Sequence, residues 1–177
     1  MNSWHRWFNT FMTVILLGGL VGIALYGSTY YQALLERQAV MSEIAQIVSD
    51  EGFKACRYMD TRGKATIGFG HLITDEDKFD RCITKQEGIK LLYNDYMYAK
   101  ESVEIRYPWA EGEVKLVLTN MTYQLGSKGV SEFDRSLNLL KQGEYMAASM
   151  EMLDSKWHSQ TDSRSTRLAI RILALQE

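Results

Sequence analysis

The feature of this sequence that most constrains its fold is a long uncharged run near the amino terminus. No Asp, Glu, Lys or Arg occurs between Trp7 and Leu35, whereas charged residues recur every few positions afterwards. Within that run, residues 10–31 provide the roughly 20 apolar and neutral residues that cross a bilayer as a helix. Aromatic residues flank the run at both ends, where they suit the headgroup zone, and Arg6 places a positive charge on the short amino-terminal side. We therefore predict a transmembrane helix with its amino terminus in the cytoplasm and the rest of the chain outside.

A cleaved secretory signal is the alternative interpretation of this run, because it shares the positive start and the apolar stretch. No clear Ala-x-Ala site follows the run, and the residues after it are predicted to continue as a helix. Four glycines make the predicted span only weakly apolar, which would allow it to leave the bilayer. They are Gly18, Gly19, Gly22 and Gly27. Close packing of two such helices in a dimer is the other explanation for these glycines.

The length and charge of the chain set the expected domain organisation. Its 177 residues fit one compact domain plus an appendage. Its 20 Lys and Arg residues against 22 Asp and Glu residues give a net charge of -2, so no bulk electrostatic attraction favours a nucleic-acid partner. We predict, in order, a cytoplasmic tail, a transmembrane anchor, a helical linker and a globular domain, at residues 1–9, 10–31, 32–40 and 41–177.

Sequence patterns predict an α+β domain that is predominantly helical and contains one small sheet. A turn signal at residues 60–63 separates two short β-prone runs, which predicts a hairpin or small sheet within residues 58–72. The Thr-x-x-Glu sequence that begins at Thr84 is a capping box for a helix that continues to about Lys100. Pro108 marks the entry to another helix, which should be buried nearly all round. The core stripe of that helix is Val114, Val117, Leu118, Met121 and Leu125.

Three residues that could carry chemistry follow one another between the first amphipathic helix and the small sheet. Glu51 ends that helix, Asp60 lies in the turn after eight intervening residues, and Thr66 follows after five more. Hydrolysis of a sugar acetal needs a carboxylic acid to protonate the leaving oxygen and a carboxylate on the opposite face. Partial burial favours Glu51 as the proton donor, while Asp60 in an exposed turn should stay ionised. The hydroxyl of Thr66 both donates and accepts hydrogen bonds, so it could hold the attacking water.

The joint pattern around these residues is more specific than any one of them, since alone each would be an ordinary surface, turn or strand residue. The sequence contains Glu51-Gly52, Tyr58, Asp60-Thr61, Gly63 and Thr66-Ile67-Gly68-Phe69-Gly70-His71-Leu72. This pattern resembles the catalytic signature of the phage lysozymes of the T-even type, glycoside hydrolase family 24, and reproduces their Glu, Asp and Thr spacing without a gap. The resemblance covers nearly everything from Met41 to about Arg171.

The resemblance implies a two-lobed lysozyme-like fold with a small β-sheet lobe, and it assigns further residues to the site. It places Arg164 beside Glu51, so that the cation orients the acid. It implies that three residues lie along the glycan cleft, namely Leu72, Tyr123 and Ser136. It also pairs His71 with Asp95 as a structural ion pair. The other cations near Arg164 are interpreted as solvated helix charge, namely Lys156, Arg167 and Arg171.

The activity of that family implies hydrolysis of the β-1,4 bond between N-acetylmuramic acid and N-acetylglucosamine in peptidoglycan, with inversion and without metal or cofactor. The added amino-terminal span, which the T-even enzymes lack, resembles the signal-anchor-release segment of other phage endolysins. We therefore expect an endolysin for host cell lysis that residues 10–31 hold in the host inner membrane, with its catalytic domain in the periplasm. Loss of the membrane potential would release it, and a holin or pinholin would act indirectly through that depolarisation.

Two other functions remain compatible with parts of the sequence. A lytic transglycosylase would use Glu51 alone and form an anhydro sugar by internal attack, although the presence of both Asp60 and Thr66 argues against it. A noncatalytic, membrane-anchored wall-binding protein would keep the fold without the chemistry. The products released from peptidoglycan separate the first function from the second, and substitution of Glu51 separates both from the third.

Two departures from the family pattern and one pair of cysteines complete the expectations. The stretch between His71 and Ile83 is much shorter than in the T-even enzymes, so the floor of the small lobe must be built differently. Glu151 stands where the family offers an asparagine to the glycan. Cys56 and Cys82 are either two small buried residues or a disulfide that ties the first β segment to the start of the next helix.

Overall fold

The structure, a computed structural model, describes residues 3–60 and 63–176, and the side chains from residue 27 onwards. The chain divides into two compact units, Met1–Met41 and Ser42–Glu177. The first helix, α1 (Ser3–Asp50), continues from the first unit into the second, so that the predicted helical linker is part of α1.

The predicted membrane segment lies mostly outside the described side chains, because that description begins at residue 27. Within the residues that are described, no helix has both the length and the apolar character needed to cross a membrane. The segment at residues 10–31 therefore stays a prediction from the sequence.

A small antiparallel sheet follows α1 directly. Its three strands, in spatial order, are β1 (Lys54–Met59), β2 (Ala65–Gly68) and β3 (His71–Leu72). Tyr58 pairs with Thr66 across β1 and β2, and Ile67 pairs with His71 across β2 and β3. The predicted hairpin is confirmed, and residues 61–62 of its turn lie outside the described residues. Because β2 is the central strand, Ile67 is fully buried and Thr66 is only 2% exposed.

The remaining described elements are helical. They are α2 (Lys85–Arg106), α3 (Gly112–Ser131), α4 (Asp134–Gln142), α5 (Tyr145–Leu153), α6 (Lys156–Gln160) and α7 (Asp162–Leu173), followed by a 3-10 turn, Ala174–Gln176. This order agrees with the predicted α+β class. The division of the unit Ser42–Glu177 into two lobes stays a prediction.

The capping box predicted at the start of α2 is confirmed. The Glu87 carboxylate accepts the Thr84 backbone N–H at 2.7 Å, and the Thr84 hydroxyl accepts the Glu87 N–H at 3.2 Å. The predicted end of the helix was wrong, since α2 continues beyond Lys100 to Arg106. Val103 is 1% exposed in that added stretch. Its burial in the hydrophobic core explains why the helix extends past the residues that the sequence pattern indicated.

The prediction that Pro108 begins the next helix was also wrong, because α3 begins only at Gly112. Pro108 lies in a turn in which the Ala110 N–H donates to the Tyr107 carbonyl at 2.8 Å. The expected burial of α3 is confirmed, since residues 117–122 are all buried. A run of six consecutive residues covers every face of a helix, so α3 is the central helix of the core.

One glycine bends α3 at the point where the helix passes the candidate site. Gly126 has φ +73°, a left-handed backbone conformation that glycine adopts without the steric penalty of a side chain. The bend separates a buried first part of α3 from a second part whose residues are mostly more exposed. Leu125, Gly126 and Ser127 all line the open groove described below.

Candidate active site

Glu51 lies immediately after α1 and is held by an arginine from the other end of the chain. Its Oε1 accepts a hydrogen bond from Arg164 Nη2 at 2.8 Å. Arg164 lies on α7 and its side chain is 6% exposed, whereas the Glu51 side chain is 34% exposed. The contact implied by the resemblance is therefore present. The Glu51 side chain is partly buried, as expected, and its carboxyl group lies against a cation.

Asp50 completes this arrangement, which we call the α1–α7 junction, formed by Asp50, Glu51, Arg164 and Arg167. Asp50 Oδ2 accepts from Arg164 Nε at 3.3 Å and also from Arg167 Nη2. Two carboxylates at the carboxyl end of a helix are unfavourable on their own, because the helix dipole is negative there. Arg164 and Arg167 offset that charge, and the contacts with Asp50 and Glu51 fix the direction of the Arg164 guanidinium.

The acid and the hydroxyl of the sheet region are held by the backbone of a single residue, Lys64. Lys64 donates its N–H to Asp60 Oδ1 at 2.7 Å, and its carbonyl accepts the Asp60 N–H at 2.8 Å. The same carbonyl accepts the Thr66 hydroxyl at 3.1 Å. We call this arrangement the 60–66 turn, formed by Asp60, Lys64 and Thr66. Because the hydroxyl proton of Thr66 is used on Lys64, its oxygen is available to accept a hydrogen bond.

These two arrangements border one open groove with a volume of about 1160 Å³. Glu51, Asp60 and Thr66 all line it. Residues of α2 and α3 also line the groove, and they include Asn94, Asp95, Tyr98, Tyr123 and Gln124. The structure therefore brings together the three residues that the sequence singled out. A large groove that is partly open to solvent suits a polymer better than a small enclosed ligand.

The pKa values of two tyrosines are raised by burial and by the acids that line the groove. Burial raises the pKa of Tyr58, and the charges of Glu51 and Asp60 raise it further. Burial also raises the pKa of Tyr123, with the charge of Glu51 as the next cause. The Tyr123 hydroxyl donates to the Phe69 carbonyl at 2.8 Å, so it holds α3 to the end of β2. Both phenols stay protonated near neutral pH and can act as hydrogen-bond donors or acceptors.

The expected pairing of His71 with Asp95 is present at the sheet end of the groove. His71 Nδ1 lies 2.9 Å from Asp95 Oδ2, and this hydrogen bond raises the pKa of His71 against the opposing effect of burial. A second acid, which sequence reasoning missed, faces the other ring nitrogen: Asp77 Oδ2 lies 3.5 Å from Nε2. Hydrogen bonds from Thr74 lower the pKa of Asp77. The shortened connection before α2 is therefore tied back to the sheet through His71.

Of the three residues that the resemblance placed along the cleft, two line the groove and one does not. Leu72 lines the groove and is 39% exposed, and Tyr123 also lines it. Ser136 does not, because it lies on α4 and is only 5% exposed. Glu151 lies outside the groove lining as well, and it pairs with Arg135 at 3.1 Å.

Trp157 and Gln124 are coupled where α6 and α3 border the groove. The indole N–H of Trp157 donates to Gln124 Oε1 at 2.9 Å. Trp157 is 4% exposed and also packs edge-on against Phe133. It therefore belongs to the core, and its polar edge fixes the amide of a groove residue.

The interpretation of the α7 arginines as solvated helix charge was wrong. Arg167 pairs with Asp50, and Arg171 pairs with Glu43 at 2.6 Å and also with Glu113. Glu43 is 5% exposed and accepts a second hydrogen bond from Asn120 at 2.9 Å. These arginines hold α1, α3 and α7 together, because a buried carboxylate is stable only when it is paired.

Cys56 and Cys82 form a disulfide, with Cα atoms 4.2 Å apart. This is the second of the two alternatives that the sequence left open. The bridge joins β1 to the residues just before α2, where the Ile83 N–H also donates to the Ala55 carbonyl at 2.8 Å.

Sequence reasoning missed Asp50 and Asp77 as parts of the site. Asp50 could have been found, because the Asp-Glu pair at a helix end needs cations and the arginines at 164 and 167 are one helical turn apart. Asp77 could not, because its position depends on how the short connection folds back towards the sheet.

Acetal hydrolysis by two carboxyl groups needs a proton donor and a second carboxylate, and Glu51 and Asp60 both line the groove. Within residues 3–60 and 63–176, no cluster of three or more His, Cys, Asp or Glu side chains is placed to bind a metal ion. The helical domain, its small sheet and the carboxyl groups of its open groove together define a glycoside hydrolase of the lysozyme class.

Comparison with known proteins agrees with this class. The sequence pattern of the phage lysozyme family matches residues 48–172, and the chain belongs to that family. Two similar proteins of Dictyostelium discoideum, "Probable T4-type lysozyme 2" and "Probable T4-type lysozyme 1", are each 32% identical over 146 residues, which covers 67% of this chain and 86% of each relative. The pre-baseplate central spike protein Gp5 of Enterobacteria phage T4 is 28% identical over 159 residues, covering 75% of this chain and 28% of the spike protein. The chain is accordingly a lysozyme-like peptidoglycan hydrolase.

Proposed function

We propose that this enzyme is an inverting muramidase, an endolysin that cleaves the β-1,4 bond between N-acetylmuramic acid and N-acetylglucosamine during host cell lysis. The observation that carries the proposal is that Glu51, fixed by Arg164, shares one groove with Asp60 and Thr66, which are fixed by Lys64. This arrangement provides two separately held carboxyl groups and a hydroxyl along one groove that can take a polymer.

In the proposed reaction, Glu51 in its protonated form donates a proton to the leaving glycosidic oxygen. A water molecule attacks from the opposite face of the sugar. The Thr66 oxygen accepts one hydrogen of that water, since its own proton is used on the Lys64 carbonyl. The Asp60 carboxylate accepts the other hydrogen and takes the proton as the new bond forms. Arg164 orients Glu51 before the reaction and stabilises its carboxylate afterwards.

The first experiment tests whether Glu51 carries the chemistry. Glu51→Gln should lower kcat on purified peptidoglycan roughly 1000-fold, because the amide cannot donate the proton. Glu151→Gln is the matched control, since Glu151 pairs with Arg135 outside the groove and should leave kcat unchanged. A Glu51→Gln variant that still lyses cells with full effect would instead support a noncatalytic wall-binding role.

The products distinguish the proposed reaction from its closest chemical alternative. An inverting muramidase releases reducing ends that first appear as the α-anomer, which proton NMR detects within minutes of cleavage. A lytic transglycosylase releases anhydro sugars that are lighter by one water, which mass spectrometry detects. Anhydro products, or a first product with the β-anomer, would contradict the inverting reaction.

The proposal extends to the location of the enzyme. Residues 10–31 hold it in the host inner membrane, with its amino terminus in the cytoplasm and its catalytic domain in the periplasm. The uncharged run and the aromatic residues at its ends support this topology, and the four glycines support weak retention. Depolarisation of the membrane, for which a holin or pinholin is the expected cause, releases the full-length enzyme to reach the wall.

Fractionation of cells before and after addition of a proton ionophore tests the release. Full-length protein should move from the membrane pellet to the soluble periplasmic fraction. A variant with Gly18, Gly19 and Gly22 replaced by Leu should stay in the pellet, because each leucine adds apolar surface to the span. Wild-type protein that remains in the pellet after depolarisation would contradict release. A shortened soluble form would instead identify a cleaved signal.

A further inference from the structure

Acids in the last part of α1 and just after it pair with arginines of α7 at two levels. The arginines are three and four positions apart, and residues with this spacing lie on one face of a helix. The end of α1 pairs with the start of α7, and an earlier residue of α1 pairs with the end of α7, so the two helices run in opposite directions. The pairs are Glu51 with Arg164, Asp50 with Arg167, and Glu43 with Arg171. The Glu43 pair thus lies about two turns of helix before the proposed proton donor.

The Glu43 level is the more buried of the two. The Glu43 side chain is 6% exposed, against 34% for Glu51. Its Oε1 lies 2.6 Å from Arg171 Nη2, and its Oε2 accepts from Asn120 Nδ2 at 2.9 Å. A buried carboxylate that loses its partners is costly, so the two partners together fix where this side chain lies.

The partners of Glu43 are themselves held by α3. Asn120 is fully buried on that helix, and Arg171 Nε also donates to Glu113 near its start. Glu43 therefore joins α1 to both α3 and α7 at one point. Because α3 is the central helix of the core, the position of Glu43 is fixed relative to the core and not only relative to α7.

The contacts at the Glu51 level leave α1 more freedom. Glu51 is partly exposed, and exposed ion pairs hold a geometry only weakly. Ile44 and Ile47 are buried between the two levels, but the apolar contacts that they add are non-directional. The buried pair of Glu43 is therefore the contact that selects one rotation of α1 about its axis.

The helix transmits this position to Glu51. The Glu51 N–H donates to the Ile47 carbonyl at 2.8 Å, which continues the helical bonding of α1. At 1.5 Å per residue, Glu43 and Glu51 are about 12 Å apart along the axis, and Arg171 and Arg164 are about 10 Å apart, so both pairs form in one register. A shift of α1 by one residue moves Glu51 by about 1.5 Å and turns it by about 100°, which breaks both pairs.

We propose that Glu43, held by Arg171 and Asn120, is a positioning residue for Glu51, and that it fixes the rotation and height of α1 at which Glu51 meets Arg164. The inference rests on the proposed function, since it takes Glu51 to be the proton donor. Glu43 is buried outside the groove lining, so it acts on the reaction only through Glu51. Proton donation occurs in the transition state, so a misplaced Glu51 lowers kcat and leaves KM unchanged.

The test compares the wild type with three variants, all as the full chain in mild detergent and at a temperature at which each is folded. Glu43→Leu removes both contacts of the carboxylate, whereas Glu43→Gln keeps the length of the side chain and an oxygen that accepts from Arg171. Glu104→Leu is the matched control, because Glu104 also has two cationic partners, Lys100 and Lys115, and lies outside the groove lining. Release of reducing ends from purified peptidoglycan gives kcat and KM, and thermal unfolding is measured beside them.

Glu43→Leu should lower kcat roughly tenfold with KM unchanged, because a small misplacement of a reacting group has a large effect on rate. Glu43→Gln should restore most of kcat, because its amide oxygen keeps the hydrogen bond from Arg171, even where its melting temperature falls. Glu104→Leu should leave both kinetic constants unchanged.

A second comparison separates positioning from a general effect on the fold. Glu43→Leu is combined with Glu51→Gln, whose amide has no proton to donate. The positioning role predicts no further loss of the residual activity in this background, because no donor is left to misplace. A purely structural role predicts the same loss in both backgrounds.

Three results would overturn the positioning role. They are an unchanged kcat of Glu43→Leu, an equal loss of kcat in Glu43→Gln, and a further loss when Glu43→Leu is added to Glu51→Gln. Arg171→Met breaks the same pair from its more exposed side, and it gives the same readout where Glu43→Leu does not fold. Failure of the proposed function gives a different result, because the wild type would then release no reducing ends.

Discussion

The α1–α7 junction and the 60–66 turn present the two acids of the groove in opposite ways. Glu51 is held by a residue 113 positions away in the sequence, whereas Asp60 is held by the backbone only four positions away. The contacts of the junction are between charged side chains, and those of the turn are mainly to the backbone of one residue, Lys64. The junction therefore exists only after α1 and α7 have come together, while the turn can form wherever its own few residues adopt the hairpin. One acid depends on the tertiary fold and the other on local structure.

The largest effect on stability is expected from removal of Arg164, the cation that both carboxylates of the junction share. Arg164→Leu should lower the free energy of unfolding by about 4 kcal/mol, because it leaves two carboxylates, one of them largely buried, without their common partner. Urea denaturation of the full chain in detergent measures this. Arg135→Leu is the matched control, and it should cost less than about 1 kcal/mol because Arg135 is 79% exposed. Equal losses for the two variants would show that the junction contributes no more than an ordinary surface ion pair.

Loss of the disulfide should have the next largest effect, and that effect should fall on the sheet region. Replacing Cys56 and Cys82 together by Ser should lower the free energy of unfolding by about 3 kcal/mol, because the unfolded chain regains the conformational entropy of a loop of this size. Hydrogen exchange should accelerate in β1 and in the residues before α2, and should change little at the junction. If exchange at Glu51 and Arg164 accelerated as much as exchange in β1, the junction and the sheet region would unfold as one unit. The two regions would then not differ in how they are stabilised.

The pair formed by His71 and Asp95 should produce a pH dependence confined to the sheet region. The hydrogen bond to Asp95 raises the pKa of His71, so the stabilisation is fully present below the pKa of the unfolded chain and is lost as pH rises through the folded value. The expected effect is smaller than that of the disulfide, because the Asp95 side chain is 28% exposed. Stability measured from pH 6 to pH 9 should fall in the wild type.

The control for this dependence is His71→Gln, which keeps a polar side chain and removes the titration. Its stability should fall less over the same pH range. If the stability of His71→Gln fell with pH as steeply as that of the wild type, a group other than His71 would be responsible. Asp77 would not be that group, because its pKa is lowered rather than raised.

The smallest expected effect is at the locally encoded start of α2. Thr84→Ala should lower the free energy of unfolding by about 1 kcal/mol, because the Glu87 N–H loses its side-chain acceptor. Thr84→Ser retains a hydroxyl and should restore most of the loss. Thermal unfolding of the two variants side by side measures the difference. A loss as large as that of Arg164→Leu would show that this cap is coupled to tertiary contacts and is not a local feature.

The predictions that the sequence supported best concern local patterns. The capping box at Thr84 and the hairpin around residues 60–63 depend on neighbouring residues, and both are present. The end of α2 and the start of α3 were predicted wrongly, because burial of Val103 extended one helix and the turn at Pro108 delayed the other. Helix boundaries depend on tertiary packing as well as on the local pattern.

In the candidate site, too, the sequence predicted some features and the tertiary structure decided others. Glu51, Asp60 and Thr66 could be selected from their spacing, and the structure places all three on one groove. Ser136 was placed along the groove by analogy alone, and its burial on α4 shows that analogy does not fix which face of a helix is accessible.

The sequence by itself determined the chemistry-bearing residues, the hairpin and the capped helix, because each is encoded by groups within a few positions of one another. Only the tertiary structure decided which arginines hold Asp50 and Glu51, and that Asp77 faces His71. These contacts join residues that are far apart in the chain or that a loop brings together. They stabilise the protein only after folding has closed the intervening segments of chain. The sequence determines which side chains are present, and the tertiary fold determines which of them come into contact.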